Sequence, residues 1–286
     1  MLTQAARQTV VTRAAIRQPL GSNARVSVAV VDLDGRVLGF FQNDDAPNFG
    51  IDVSVQKARG ALLFSHPDAA ALLAQAPPAD YIAPPGTGAS IVAYREAFHA
   101  FLGDAGALQG AVAFSTRALG NLHRPMFPDG IEATAHGPLS KPMSSWSPLN
   151  VGFQLDLVFN QLVKGVGGDQ EAGCAGRAAT AMPGRADTGI ALAANGIQIF
   201  PGGVPIYRNG QLAGAIGVSG DGVDQDDMIA FLGLANAGAV LANGVGNAPA
   251  AMRSDAVSPM GTRLRYVQCP QAPFNDASEQ NACAGR

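Results

Sequence analysis

Residues 205–227, PIYRNGQLAGAIGVSGDGVDQDD, decide the fold class. Asn209 and Gly210 are the pair that a two-residue type I′ turn asks for, because both central residues of that turn have positive φ. The runs VPIYR and QLAGAIGVS on either side therefore read as two antiparallel strands. One face of the second strand carries Leu212, Gly214, Ile216 and Val218, the other Ala213, Ala215, Gly217 and Ser219. A strand face stripped of bulk lets something large lie close against it: a helix, a neighbouring subunit or a flat ligand. The four aspartates that follow do not make an EF-hand, since the twelfth position counted from Asp221 is Leu232 and not a bidentate Glu. Nor is GVSGDG the G-x-G-x-x-G of a dinucleotide loop. The spacing predicts the start of the helix MIAFLGLANAG, with Asp224 as N-cap, Asp227 three residues on, and Val223 and Met228 as a hydrophobic staple. Negative charge in the first turn also suits the helix dipole. Ser219, Gly220 and Asp221 stay outside that reading, just past a strand end, where chain turns often hold ligands.

Upstream, RVSVAVVDLDGRVLGFFQND predicts a second hairpin turning at Asp34-Gly35. In FGIDVSVQKARGALLFS, Ile51, Val55, Ala58 and Leu62 form one apolar helical stripe, with Asp52 placed to cap its start. A weaker stripe predicts a first helix over 2–17, ended by Gly21, and GIQIF reads as a strand ahead of the last hairpin. Between these segments the chain is dense in Pro, Gly and Ser, interrupted by helix-like runs at 90–102 and 108–119. VGFQLDLVFNQLV fits both a period of two and a helical stripe, and its length favours helix. This middle part reads as an elaboration. The expected organisation is one domain over 1–243, its core from 1–66 and 197–243, with 67–196 inserted and 244–286 as a tail.

Of the 286 residues 47% are apolar, which is enough for a real core. Only 14% are charged, where soluble domains average about 25%, so large uncharged surfaces are expected. The net charge is −3 and no Lys/Arg run occurs, so neither a nucleic-acid stripe nor a polybasic membrane patch is visible, and small molecules or copies of the chain are the expected partners. No stretch has the length and apolarity of a membrane span, and the first twenty residues lack the apolar centre of a signal peptide. Of three cysteines, Cys174 sits in a Gly-rich loop, whereas Cys269 and Cys283 lie in a tail too polar to bury itself. A Cys269–Cys283 disulfide would staple that tail and imply a periplasmic or secreted protein whose leader has been removed; two unpaired thiols would suit a cytoplasmic one.

Taken in order, SVAVVDLDGRVLGFFQNDDAP, IDVSVQKARGALLFS and FPGGVPIYRNGQLAGAIGVSGDGVDQDD resemble the GlcG/HbpS-like family of haem-binding proteins, which is related to the C-terminal domain of PduO-type proteins. The resemblance implies an α/β (α+β) profilin-like fold: an antiparallel sheet of about five strands covered by helices. It also implies assembly into homo-oligomers, and haem or another tetrapyrrole as ligand. The positions matching the family's motifs are Asp52, Lys57 and Arg59 on the second helix, Gly202, Gly203 and Pro205 in the bend before the last hairpin, and Ser219, Gly220 and Asp224 after it. Lys57 is one of only three lysines, and an ammonium beside a small-residue pocket can bind a carboxylate or propionate; the alternative is a solvated helix-face lysine. Gly202-Gly203 either exposes N–H groups to an acceptor or allows a sharp bend. Lys57, Gly203 and Ser219 are expected to border one pocket.

The chain departs from the family in its long Pro/Gly-rich, partly helical insertion. His66, His99, His123 and His136, the four histidines, all lie in or beside it, and His123 in NLHRPMFP is the candidate axial ligand for a haem iron. Glu96 and His99 have the spacing of a di-iron helix but lack the second motif, and no C-x-x-C-H occurs. Three functions compete: a binding or sensing protein for haem or a related planar anion; an enzyme acting on a small organic acid, with Lys57 on the carboxylate and Asp52 or Asp221 handling a proton; and an accessory subunit using the insertion as an interface. No Ser-His-Asp or Cys-His arrangement is legible.

Overall fold

In a computed structural model, the described residues are 1–76, 78, 90–129, 131–148, 152–166 and 190–286. Cys174 lies outside them. Both hairpins form. The first joins β1 (Val26–Val31) to β2 (Val37–Gln42) and the second joins β3 (Gly203–Arg208) to β4 (Gln211–Gly220). Asn209 and Gly210 both have positive φ, 51° and 79°, as the type I′ turn requires. With the short β5 (Val245–Asn247), the strands make an antiparallel five-stranded sheet in the order β2-β1-β4-β3-β5. The two segments that resemble the family thus meet at its centre, where β1 pairs β4. Pro205 faces Ala215 at a point on β3 that β5 does not reach, so its missing N–H costs no ladder bond on that side.

Helices cover both faces, which is the profilin-like arrangement. α1 (Leu2–Val11) and α7 (Val223–Leu241) pack on one face, over a core of Val26, Val28, Val204, Ile216 and Val218. α2 (Gly50–Ser65) lies across β1, β4 and β3 on the other. Beyond it come α3 (Ala69–Gln75), α4 (Ile91–Leu102), α5 (Thr116–Leu122) and α6 (Gly152–Val166), which share a second apolar core with α2 through Phe64, Phe98, Phe114 and Phe153.

The stripped face of β4 is filled by α2. A Cβ at Gly217 would lie 2.0 Å from the Ser54 carbonyl oxygen and 2.5 Å from the Ala58 nitrogen. Of the three occupants the sequence allows, the helix is the one present. The face itself is shorter than simple alternation predicts. Ile206 pairs Gly214 but Tyr207 pairs Leu212, so Ala213 is an extra residue in β4. This bulge turns Ala213 towards the α1/α7 side, while Ala215 stays in the core under α2.

Several element boundaries differ from the sequence reading. α1 stops at Val11 because the chain beyond it is recruited into bridges, Thr12 with Phe274 and Arg13 with Asn23. GIQIF is not a strand: β5 takes the outer edge of β3, and Ile197 and Ile199 are buried as irregular chain. Within 108–119 only the part from Thr116 is helical. α2 starts at Gly50 with Phe49 at its cap, so Asp52 lies in the first turn and caps nothing. Asp224 likewise falls inside α7, whose N-cap is Gly222. The tail is closed by a Cys269–Cys283 disulfide and is seated through Tyr266 on Phe231 of α7, with ring centroids 6.2 Å apart. Among the described residues no helix is long and apolar enough to cross a membrane.

Candidate functional site

The four aspartates after β4 are better explained by distant cations than by helix capping. Asp221 accepts from the Arg17 Nε at 2.6 Å and from the Arg25 amide at 2.9 Å. Asp224 accepts from Arg117 Nη2 at 2.5 Å, and Asp227 from the Arg117 Nε. Arg117 stands on α5, so these two ion pairs tie the insertion to the start of α7. Asp227 also takes the Gly202 amide at 2.7 Å and the Gln268 amide at 2.9 Å, which gathers the bend before β3 and the tail onto one buried carboxylate. Burial raises its pKa, opposed chiefly by Arg117.

The fourth aspartate meets Lys57. Lys57 is 2% exposed and Asp226 equally so. The ammonium donates to Asp226 Oδ2 and to the Val218 carbonyl, both at 2.8 Å. Asp226 Oδ1 is buried with no hydrogen-bond partner among the described residues. Burial pushes the Asp226 carboxyl up to about 6, against the pull of Lys57. Gly202 is glycine because this pair sits on it: a Cβ there would lie 2.4 Å from the Val218 oxygen, 2.7 Å from Asp226 Cβ and 3.1 Å from Lys57 Nζ. Gly203 gives its amide to Thr116 Oγ1 at 2.8 Å, and a Cβ on it would lie 2.4 Å from the Lys57 carbonyl oxygen. Both glycines therefore serve close backbone approach, and their N–H groups are taken by protein acceptors, not aimed at a ligand.

Beside this pair opens a groove of about 750 Å³, within the range of small-molecule sites. Its walls come from Ala15 and Ile16 after α1, from Phe49 and Val53 at the start of α2, from Gln198 and Phe200 before β3, and from the β4–α7 turn with the first turn of α7. The Ala15 amide, bonded to the Asp221 carbonyl at 2.9 Å, holds the 15–16 segment in place. The rim is apolar and open to solvent: Ile16 is 70% exposed, Phe49 58% and Val223 43%. Lys57 and Asp226 border the groove among these apolar groups.

Of the residues singled out from the sequence, Lys57, Ser219, Gly220 and Asp224 line the groove, and Gly203 does not. Asp52 is exposed and engaged by Gln56 and Asn195. Arg59 holds the β1–β2 turn through the Gly35 carbonyl at 2.8 Å and also bonds Asn195. Asp221 is committed to Arg17. Neither acid assigned to a proton-transfer role thus reaches the groove wall. His123 is fully buried in the insertion, its Nδ1 2.6 Å from the Leu119 carbonyl and its ring beside Phe153. Burial pushes it down to about 4, and its Nε2 has no partner among the described residues. No histidine, cysteine, methionine or tyrosine is among the described groove-lining residues, and no cluster of three or more His, Cys, Asp or Glu suited to a metal occurs among the described residues. Sequence reasoning missed Asp226 as the partner of Lys57, and missed Phe49 and Ile16. A carboxylate for a rare buried lysine was there to be sought in the aspartate cluster, but nothing in the sequence marks Phe49 as an exposed wall.

A family model described as haem degrading protein HbpS-like matches residues 162–235. The match takes in β3, β4 and the first part of α7, with Ser219, Asp226 and the rest of the aspartate cluster, and leaves out α2. It agrees with the GlcG/HbpS-like resemblance read from the sequence. No curated protein matches the chain. Among solved structures, the chain is similar to the Klebsiella pneumoniae protein ORFY, of family DUF336, at 18% identity over 74% of each chain with a TM-score of 0.29. It is also similar to a PduOC:heme complex at 17% identity, over 87% of this chain and 95% of that one, with a TM-score of 0.34.

Proposed function

We propose that the groove binds a planar, largely apolar small molecule with an acidic edge, of the haem or tetrapyrrole class, without turnover. The observation that carries this reading is an exposed apolar rim leading to a buried ammonium. The rim favours a flat apolar face by removing it from water, and Lys57 offers a charge-assisted hydrogen bond to a carboxylate. The family match over 162–235 supports a haem-related ligand.

A haem would be held by its faces and its propionates, because no described groove-lining residue offers an axial donor to iron. When bound, haem would supply its own redox and oxygen chemistry; the chain's part is to bind it, orient its acidic edge towards Lys57 and shield one face from water. The alternative of an enzyme acting on a small organic acid has less support, since Asp52 and Asp221 are both engaged away from the groove. The disulfide in the tail favours an oxidising compartment, and a periplasmic or secreted location belongs to the same proposal.

The test is an absorbance titration of the purified protein with haemin. A saturable change at one haemin per chain is expected, whereas a titration indistinguishable from haemin added to buffer would overturn the reading.

A further inference from the structure

We propose that the groove takes up a proton together with its ligand: a ligand carboxylate becomes the counter-charge of the Lys57 ammonium, and Asp226, still hydrogen-bonded to it through Oδ2, accepts a proton from solvent and becomes neutral. The inference rests on the reading of the groove as a binding site. Its basis is the charge count at the buried end of that groove. One ammonium and one carboxylate, each almost fully buried, already neutralise each other. A second carboxylate brought alongside would leave a net negative charge out of water, which is costly unless one of the two acids is discharged.

The geometry provides for that discharge. The ammonium has three N–H donors, and two are spent on Val218 O and Asp226 Oδ2, which leaves one. Asp226 Oδ1 has no hydrogen-bond partner among the described residues. A proton placed on Oδ1 converts it into a donor, so the ligand carboxylate would receive one hydrogen bond from Lys57 and one from the neutral Asp226. No covalent bond changes; one proton moves from solvent to Oδ1.

The surrounding charges do not compete for this role. Asp224 and Asp227 on the same helix are held by Arg117 of α5, and Asp221 in the preceding turn is held by Arg17. From the sheet, the Val218 carbonyl, the Gly202 backbone and the Gly220 amide approach the pair, and the Gly220 amide, like Lys57, favours the charged carboxylate. Lys57 is the one charged group that α2 sends to it. Burial already brings the Asp226 carboxyl to about 6, and the Asp227 charge adds to that rise while Lys57 opposes it. Protonation near neutral pH therefore asks for a small further change.

The experiment is calorimetric titration of the full chain with haemin and with haemin dimethyl ester, at pH 7 in buffers of differing ionisation enthalpy. Water or hydroxide on the iron contributes to both probes, so the difference between them isolates the carboxylates. The expected result is uptake of close to one proton more for haemin than for the ester. Haemin affinity should fall roughly tenfold per pH unit above pH 6.5, the slope for one linked proton, while the ester's affinity stays flat by comparison. Asp226→Asn, checked for a native fold by circular dichroism, should bind haemin without the extra proton. Tight haemin binding with equal proton counts for the two probes would overturn the coupling and leave the binding site standing. Failure of the wild-type chain to bind either probe at any pH would remove the site and the coupling together. If Asp226→Asn does not fold, the wild-type proton count decides alone.

Discussion

Replacing Lys57 by Met and Asp226 by Asn should have unequal consequences, and the inequality follows from which charge the fold finds harder to bury. The folded Asp226 carboxyl sits at about 6, against roughly 3.9 in an unfolded chain. A carboxyl raised in this way contributes stability that is complete below about pH 4 and is lost as pH rises through about 6, a loss of about 3 kcal/mol by pH 8. Asn freezes the neutral form and still offers an amide oxygen to Lys57, so Asp226→Asn should lie within about 1.5 kcal/mol of wild type at pH 8. Lys57→Met instead leaves a carboxylate uncompensated and the Val218 carbonyl without its donor. The expected cost is about 3–5 kcal/mol at pH 8. At pH 5 Asp226 is neutral in that variant, and the deficit should shrink to about 1–3 kcal/mol, the penalty for unsatisfied polar groups. Urea unfolding followed by far-ultraviolet circular dichroism at pH 8 and pH 5 measures all of these differences. A Lys57→Met deficit that does not change between the two pH values, or an Asp226→Asn cost equal to it at pH 8, would refute the reasoning.

Other perturbations test the rest of the structure. Arg117→Ala removes the shared cation of Asp224 and Asp227 and should cost about 3–5 kcal/mol; limited proteolysis should then cut the insertion faster than the sheet. Cys269→Ser opens a disulfide spanning 14 residues and should lower the unfolding free energy by about 2–3 kcal/mol in urea melts, with no further loss on adding reductant. His123→Leu should leave the haemin titration unchanged, because the imidazole lies outside the groove; loss of binding in that variant would restore it as an iron ligand.

What the sequence made legible is what short-range chemistry determines. Asn209-Gly210 and Asp34-Gly35 fix two hairpins by the backbone angles their turns need, and the stripe through Ala58 and Leu62 fixes the buried side of α2. Gly217 announced a close approach without saying by what. The errors arose where a partner lies far along the chain. Asp224 and Asp227 look like a capping motif locally, but their cation is Arg117, more than a hundred residues earlier. Lys57 looked like a cation awaiting a ligand because its carboxylate stands beyond the whole insertion. The end of α1 and the fate of GIQIF were decided by tail pairing and by competition for a sheet edge, which no local pattern encodes. The groove suffered most, since its walls combine four separate segments and its exposed Phe49 and Ile16 would be read from sequence as ordinary core residues.

The central claim, that the groove beside Lys57 is the binding site, is tested most directly by filling it. Val53 is half-buried on the groove wall, and an indole in its place would occupy the space a planar ligand needs while keeping both charged residues of the Lys57–Asp226 pair. For a Val53→Trp variant that keeps the wild-type circular dichroism spectrum, haemin titration should show a dissociation constant at least roughly tenfold weaker, ~1.4 kcal/mol. A dissociation constant equal to that of wild type would place the ligand elsewhere and contradict the account.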